Sequence, residues 1–62
     1  MAVSYILELG VINNDTEIYI RDGESNVLAR GNWYQDAIQD FSDREVESFT
    51  WQDDNKVYID LK

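Results

Sequence analysis

EVESFTWQDDNKVYIDLK, residues 45–62, alternates apolar and polar side chains on both sides of Asp53-Asp54-Asn55. Side chains along a strand point to opposite faces at every second residue, so this alternation predicts two half-buried strands, Glu45–Gln52 and Lys56–Lys62. Asn tolerates left-handed backbone, and Asn55 suits the third position of a three-residue hairpin loop. In that register Trp51 faces Val57 and Phe49 faces Ile59, with Leu61 extending the apolar face. Thr50 opposite Tyr58 and Ser48 opposite Asp60 form a solvated face. Glu47 disturbs the pattern, because strict alternation points it to the apolar face near Leu61.

Upstream, Asn32 reads as a helix N-cap, with Gln35 in the capping-box position. Trp33, Ala37, Ile38 and Phe41 recur at helical spacing, which predicts a short helix over Trp33–Phe41. Tyr34 lies at the edge of that stripe, and Asp36 and Asp40 lie on the other side. A helix this short is marginal alone and must be held by packing. Trp33 is expected in the core, with an exposed protein-binding aromatic as the alternative, and Tyr34 stands open between the two.

The first half of the chain repeats the strand pattern. Val3–Ile12 alternates Tyr5, Leu7, Leu9 and Val11, and Thr16–Asp22 alternates Ile18 and Ile20. Asn13-Asn14-Asp15 supplies turn chemistry between them. Pairing Leu9 with Ile18 and Leu7 with Ile20 keeps both apolar sets on one face. Asp22-Gly23-Glu24-Ser25-Asn26 makes the next turn, and Val27–Gly31 a third strand. The expectation is one α+β domain over residues 1–62. It has the element order β-β-β-α-β-β, with an antiparallel sheet of about five strands and one short helix packed on one face.

Composition restricts the chemistry. The 62 residues carry 13 Asp and Glu against 5 Lys and Arg, with no His and no Cys, for a net charge of −8. No disulfide or ordinary zinc site can staple so small a domain, so apolar packing must hold it. The two Trp, four Tyr and two Phe are expected to carry much of that core. A homodimer sharing a core is the other solution. Ser4, Ser25, Ser42 and Ser48 lack a His to activate them. Lys56 and Lys62 sit at strand ends facing water. Paired carboxylates could hydrolyse glycosides, but 62 residues leave little room for a sugar cleft. The Asx-rich turns lack the alternating ligands and terminal Glu of a calcium loop, and the isolated glycines make no phosphate loop. The expectation is a non-enzymatic protein with no cofactor and no metal.

The N-terminal apolar run lacks a basic flank, is interrupted by Glu8 and is too short to span a bilayer, so it reads as a strand. Asn14-Asp15-Thr16 matches a glycosylation sequon by chance. A cytoplasmic setting is the default, and Cys absence fits a reducing compartment. Strong negative charge disfavours anionic membranes and direct nucleic-acid contact.

Charge is unevenly placed. Between Asp36 and Glu47 lie Asp36, Asp40, Asp43, Glu45 and Glu47 against Arg44 alone: five acids and one base, half the net charge of the chain. Asp43, Glu45 and Glu47 alternate into a strand about 6.6 Å apart, a spacing comparable to that of backbone phosphates. A helix and adjoining strand so decorated could occupy the basic groove of a nucleic-acid-binding protein. The plainer role is a solvated face that keeps a small apolar domain soluble. The expected partner-binding residues are these five acids and Tyr34.

Ile18–Asp22, Val27-Leu28-Ala29-Arg30-Gly31, Asp43-Arg44-Glu45-Val46-Glu47-Ser48-Phe49 and Lys56-Val57-Tyr58-Ile59 together resemble small uncharacterised proteins of Gram-positive phages and mobile elements. The resemblance covers about two-thirds of the chain and carries no assigned activity to any residue. It implies an intracellular phage setting, where small acidic proteins often inhibit host nucleic-acid enzymes, CRISPR effectors among them, by mimicking DNA. The alternative role is a structural or oligomerising module that pairs a strand edge or an aromatic face. No Pro guards any strand edge.

Overall fold

The computed structural model describes residues 1–62 as an α+β fold. The elements are α1 (Val3–Leu7), β1 (Glu17–Arg21), β2 (Val27–Gly31), α2 (Asp36–Gln39), β3 (Val46–Gln52) and β4 (Lys56–Leu61). They form one four-stranded sheet in the order β2-β1-β4-β3. Two antiparallel hairpins, β1–β2 and β3–β4, are joined by a parallel pairing of β1 with β4. The sheet is therefore mixed, and it has four strands where an antiparallel sheet of about five was expected.

The N-terminal segment accounts for the missing strand. Val3–Leu7 is helical, not extended, and pairs no residue of β1. Its decisive spacing is Val3, Ile6 and Leu7, one turn of a helix face, and Val3 and Ile6 are fully buried. Five residues cannot sustain a helix alone. Backbone bonds from Val3 N–H to Arg44 O (3.0 Å) and Ser4 N–H to Ser42 O (2.8 Å) tie its start to the chain before β3. The predicted Leu9–Ile18 and Leu7–Ile20 pairs do not form, because β4 takes that side of β1: Ile18 stands beside Val57 and Ile20 beside Ile59.

The predicted helix over Trp33–Phe41 contracts to Asp36–Gln39 inside a run of turns. Half of the predicted capping box is present. Asn32 N–H donates to Gln35 Oε1 at 2.8 Å, while the Asn32 side-chain amide donates instead to Asn14 O (3.0 Å) and Thr16 O (3.2 Å). Drawing the Asn32 side chain away from the helix leaves Gln35 at the cap position, without a side-chain cap bond.

The final hairpin follows its predicted register: Trp51 opposes Val57, Phe49 Ile59, Thr50 Tyr58 and Ser48 Asp60. Asn55 has φ 62°, the left-handed value its position calls for. A bulge between Val46 and Ser48 resolves the conflict at Glu47. The extra residue shifts the alternation, so that Val46 opposes Leu61 in the core and Glu47 turns to solvent.

The core is aliphatic throughout. Val3, Ile6, Ile18, Ile20, Ile38, Val46, Val57, Ile59 and Leu61 form one cluster between the sheet and the two short helices. No aromatic side chain is fully buried, contrary to the expectation that aromatics would carry the core. Each fully buried Ile or Leu contributes roughly 1.5–3 kcal/mol of transfer free energy. Trp33 and Tyr34 are exposed and meet edge to face with ring centroids 5.8 Å apart, and Trp33 Nε1 donates to Asn14 Oδ1 at 3.0 Å.

The opposite face of the sheet is half-buried by its own side chains. Arg21 and Asp60, adjacent across the parallel pair, form a two-bond ion pair at 2.7 and 3.0 Å. The Arg21 guanidinium lies 4.7 Å from the Tyr58 ring centroid, and Tyr58 packs on Tyr19 at 4.9 Å. Tyr19 O–H donates to Glu17 Oε1 at 2.6 Å, and this hydrogen bond raises the Tyr19 pKa. No helix is long and apolar enough to cross a membrane.

Candidate protein-binding surface

The predicted acidic residues are all exposed, but they do not share one regular element. Asp36 opens α2, Asp40 caps its C-terminal end, and Asp43 lies in the following turn instead of a strand. Glu45 forms a single antiparallel bridge with Ala2, and Glu47 is the bulged residue of β3. The uniform strand spacing expected for Asp43, Glu45 and Glu47 is therefore absent. Glu45 is also neutralised in place: the Met1 ammonium lies 2.8 Å from its Oε1 and lowers its pKa. Asp36, Asp40, Asp43 and Glu47 take part in no ion pair, since the only others are Arg21–Asp60 and Lys56–Asp54. Arg44, the one cation of the stretch, reaches the Phe41 ring at 5.6 Å. Tyr34 sits ahead of α2, 54 % exposed.

No three carboxylates converge as a group that could hold a metal ion. The two carboxylates with displaced pKa values, Asp22 and Glu45, are both lowered by the donors around them.

A second surface joins residues that the sequence pattern does not bring together. Leu9, Val11, Phe49 and Trp51 line an open groove of about 550 Å³ without a polar side chain among them. Phe49 and Trp51 lie on the core side of the sheet, yet β3 is an edge strand and neither helix covers its far half. Leu9 lies in the bend that ends α1, its N–H donating to Ile6 O at 3.2 Å, and Val11 follows beyond Gly10, whose φ is +82°. The Asn13–Thr16 turn that succeeds them is clamped to the β3–β4 turn. There Thr16 Oγ1 donates to Asn55 Oδ1 at 2.9 Å, and Glu17 N–H donates to Asn55 O at 3.0 Å. The groove wall is thus fixed at its base. The groove gathers four exposed apolar side chains on one side of the edge strand. The signal available in the sequence was Phe49 and Trp51 on a terminal hairpin, where only one neighbouring strand is guaranteed.

The outer edge of β3 is free beyond its first residue. Val46 N–H donates to Met1 O at 2.7 Å, and no backbone hydrogen bond runs outward from Glu47–Gln52. No known protein family, curated protein or solved structure was found to match the chain.

Proposed function

We propose that this chain is a non-enzymatic acidic binding protein of phage or mobile-element type that docks on a basic host protein. Its partner class is a nucleic-acid-binding protein whose cationic groove the acids occupy in place of DNA. The observation that carries this reading is the run Asp36, Asp40, Asp43 and Glu47, four exposed carboxylates without an ion-pair partner. Exposed charge of one sign mainly accelerates encounter and selects partners of the other sign. A second reading, self-association as a structural module, is favoured by the free edge of β3 and opposed by the charge of −8 on each copy.

Capture of host proteins at low and high salt tests the proposal, comparing the chain with its Asp36→Lys/Asp40→Lys/Asp43→Lys variant. Proteins captured by the native chain alone are then purified and assayed for DNA binding with and without it. Salt-sensitive capture, lost in a folded triple variant, and displacement of DNA are the expected results. Capture that ignores both salt and the charge reversal overturns it.

A further inference from the structure

We infer that the free edge of β3 accepts an extended partner segment of alternating apolar and basic residues as a fifth strand, with its apolar side chains seated in the groove of Leu9, Val11, Phe49 and Trp51. Three features of the site converge on this. Glu47–Gln52 offers backbone donors and acceptors with no partner on the outer side. An added strand satisfies them, and main-chain bonding of this kind supplies affinity without sequence demands. Every second side chain of such a strand falls on the face of Phe49 and Trp51, which are 39 % and 43 % exposed. The alternate side chains fall on the face of Ser48 and Thr50.

The charge of the occupant follows from the groove's surroundings. Neither contributing segment, residues 2–14 or residues 45–54, contains a Lys or Arg. Glu8 adjoins Leu9, and Glu47 and Asp53 bracket the aromatic stretch; none of the three has an ion-pair partner. Cations on the incoming segment fall on the face of Ser48 and Thr50, outside the groove, and are favoured by this cation-free surround and by the net charge of −8. A second copy fits poorly. Antiparallel pairing of β3 with itself about Thr50 places Phe49 against Trp51 but sets Glu47 opposite Asp53, and it joins two chains of −8. The inference rests on the proposed basic partner for its charge, and on the edge and groove for its location.

The test uses the full chain, isotope-labelled, and three synthetic peptides followed by NMR. The first is acetyl-Lys-Ile-Lys-Val-Lys-Ile-Lys-amide. The second replaces each Lys by Glu, and the third replaces each apolar residue by Ser. Only the first is expected to saturate, shifting the Glu47–Gln52 amides and slowing their hydrogen exchange. N-methylation of alternate peptide amides and, separately, Phe49→Ser or Trp51→Ser should each weaken binding about tenfold or more. Equal binding of the first and third peptides, with shifts confined to Asp36–Asp43, overturns the strand-addition site and leaves the basic-partner reading standing. Preference for the acidic peptide overturns both. Shifts at β3 that grow with protein concentration alone assign the edge to a second copy and overturn the inference.

Discussion

The Thr16 hydroxyl donates to Asn55 Oδ1 across 2.9 Å, joining two turns 39 positions apart in the chain. The same oxygen accepts from Asn13 N–H at 3.1 Å, and Thr16 is fully buried. One side chain therefore holds the end of the N-terminal segment, the start of β1 and the β3–β4 turn together. It sets where the parallel β1–β4 pairing begins, because Glu17 pairs with Lys56 immediately beyond.

Replacing Thr16 by Val keeps the shape of the side chain and strands its partners. Asn13 is exposed and Asn55 half-buried, so water partly replaces the lost bonds and each costs about 0.5–1.5 kcal/mol. The expected outcome for Thr16→Val is a melting temperature lower by roughly 4–8 °C for each kcal/mol lost. Thr16→Ser, which keeps the hydroxyl and loses one methyl group, should cost only about 0.8 kcal/mol. Thermal melts of the two variants side by side make the comparison. If Ser is the more damaging replacement, packing and not the clasp is what Thr16 supplies.

Asp22 carries a pH dependence of definite sign. Its carboxylate accepts from Asn26 N–H (3.0 Å) and Glu24 N–H (2.8 Å) in the β1–β2 turn, and these bonds lower its pKa. The unfolded chain thus binds a proton at Asp22 before the folded chain does, so acid shifts the balance toward unfolding. The contribution is complete above the ordinary Asp value of about 3.9 and fades as the pH falls through the lowered one. Comparison with Asp22→Asn isolates it, because both proteins share the relief of their remaining charge. Native protein should melt above the variant near pH 6, with the gap closing as the pH falls below about 3.9 and on through the lowered value. A gap of constant size would assign the difference to turn geometry alone.

The hairpin of residues 45–62 was legible because its signals agree: period-2 alternation, Asx-rich turn and an Asn where left-handed backbone is needed. Val27–Gly31 was placed by the Asx-rich turn before it, although its own side chains do not alternate. Residues 3–12 misled because two patterns coexist in them. Tyr5, Leu7, Leu9 and Val11 alternate, whereas Val3, Ile6 and Leu7 share a helical face, and only tertiary competition decides. The side of β1 that Val3–Ile12 would have filled goes to β4. That parallel pair, formed between residues 39 apart, has no local signature. Among the candidate site residues, exposure of the acids was legible from charge, but the pairing of Glu45 with Met1 was not. Phe49 and Trp51 were placed on the correct face, yet their burial depended on sheet order.

Gly31 closes β2 where the chain turns toward α2, and two constraints meet there. Its φ is +152°, a backbone angle that L side chains rarely adopt, and a Cβ would overlap Gln35 Oε1. That oxygen is occupied with Asn32 N–H at 2.8 Å. Gly31→Ala therefore strains the backbone and displaces the Gln35 amide, and a cost of about 1–3 kcal/mol is expected from the strain. Adding Gln35→Ala separates the two effects, since it removes the obstructing side chain but leaves φ unchanged. The double variant should recover part of the stability lost by Gly31→Ala, with the remainder reporting the backbone, in a double-mutant cycle read by chemical denaturation. Full recovery would place the whole cost in the Gln35 contact. A Gly31→Ala protein as stable as the native one would remove the requirement for glycine at this position.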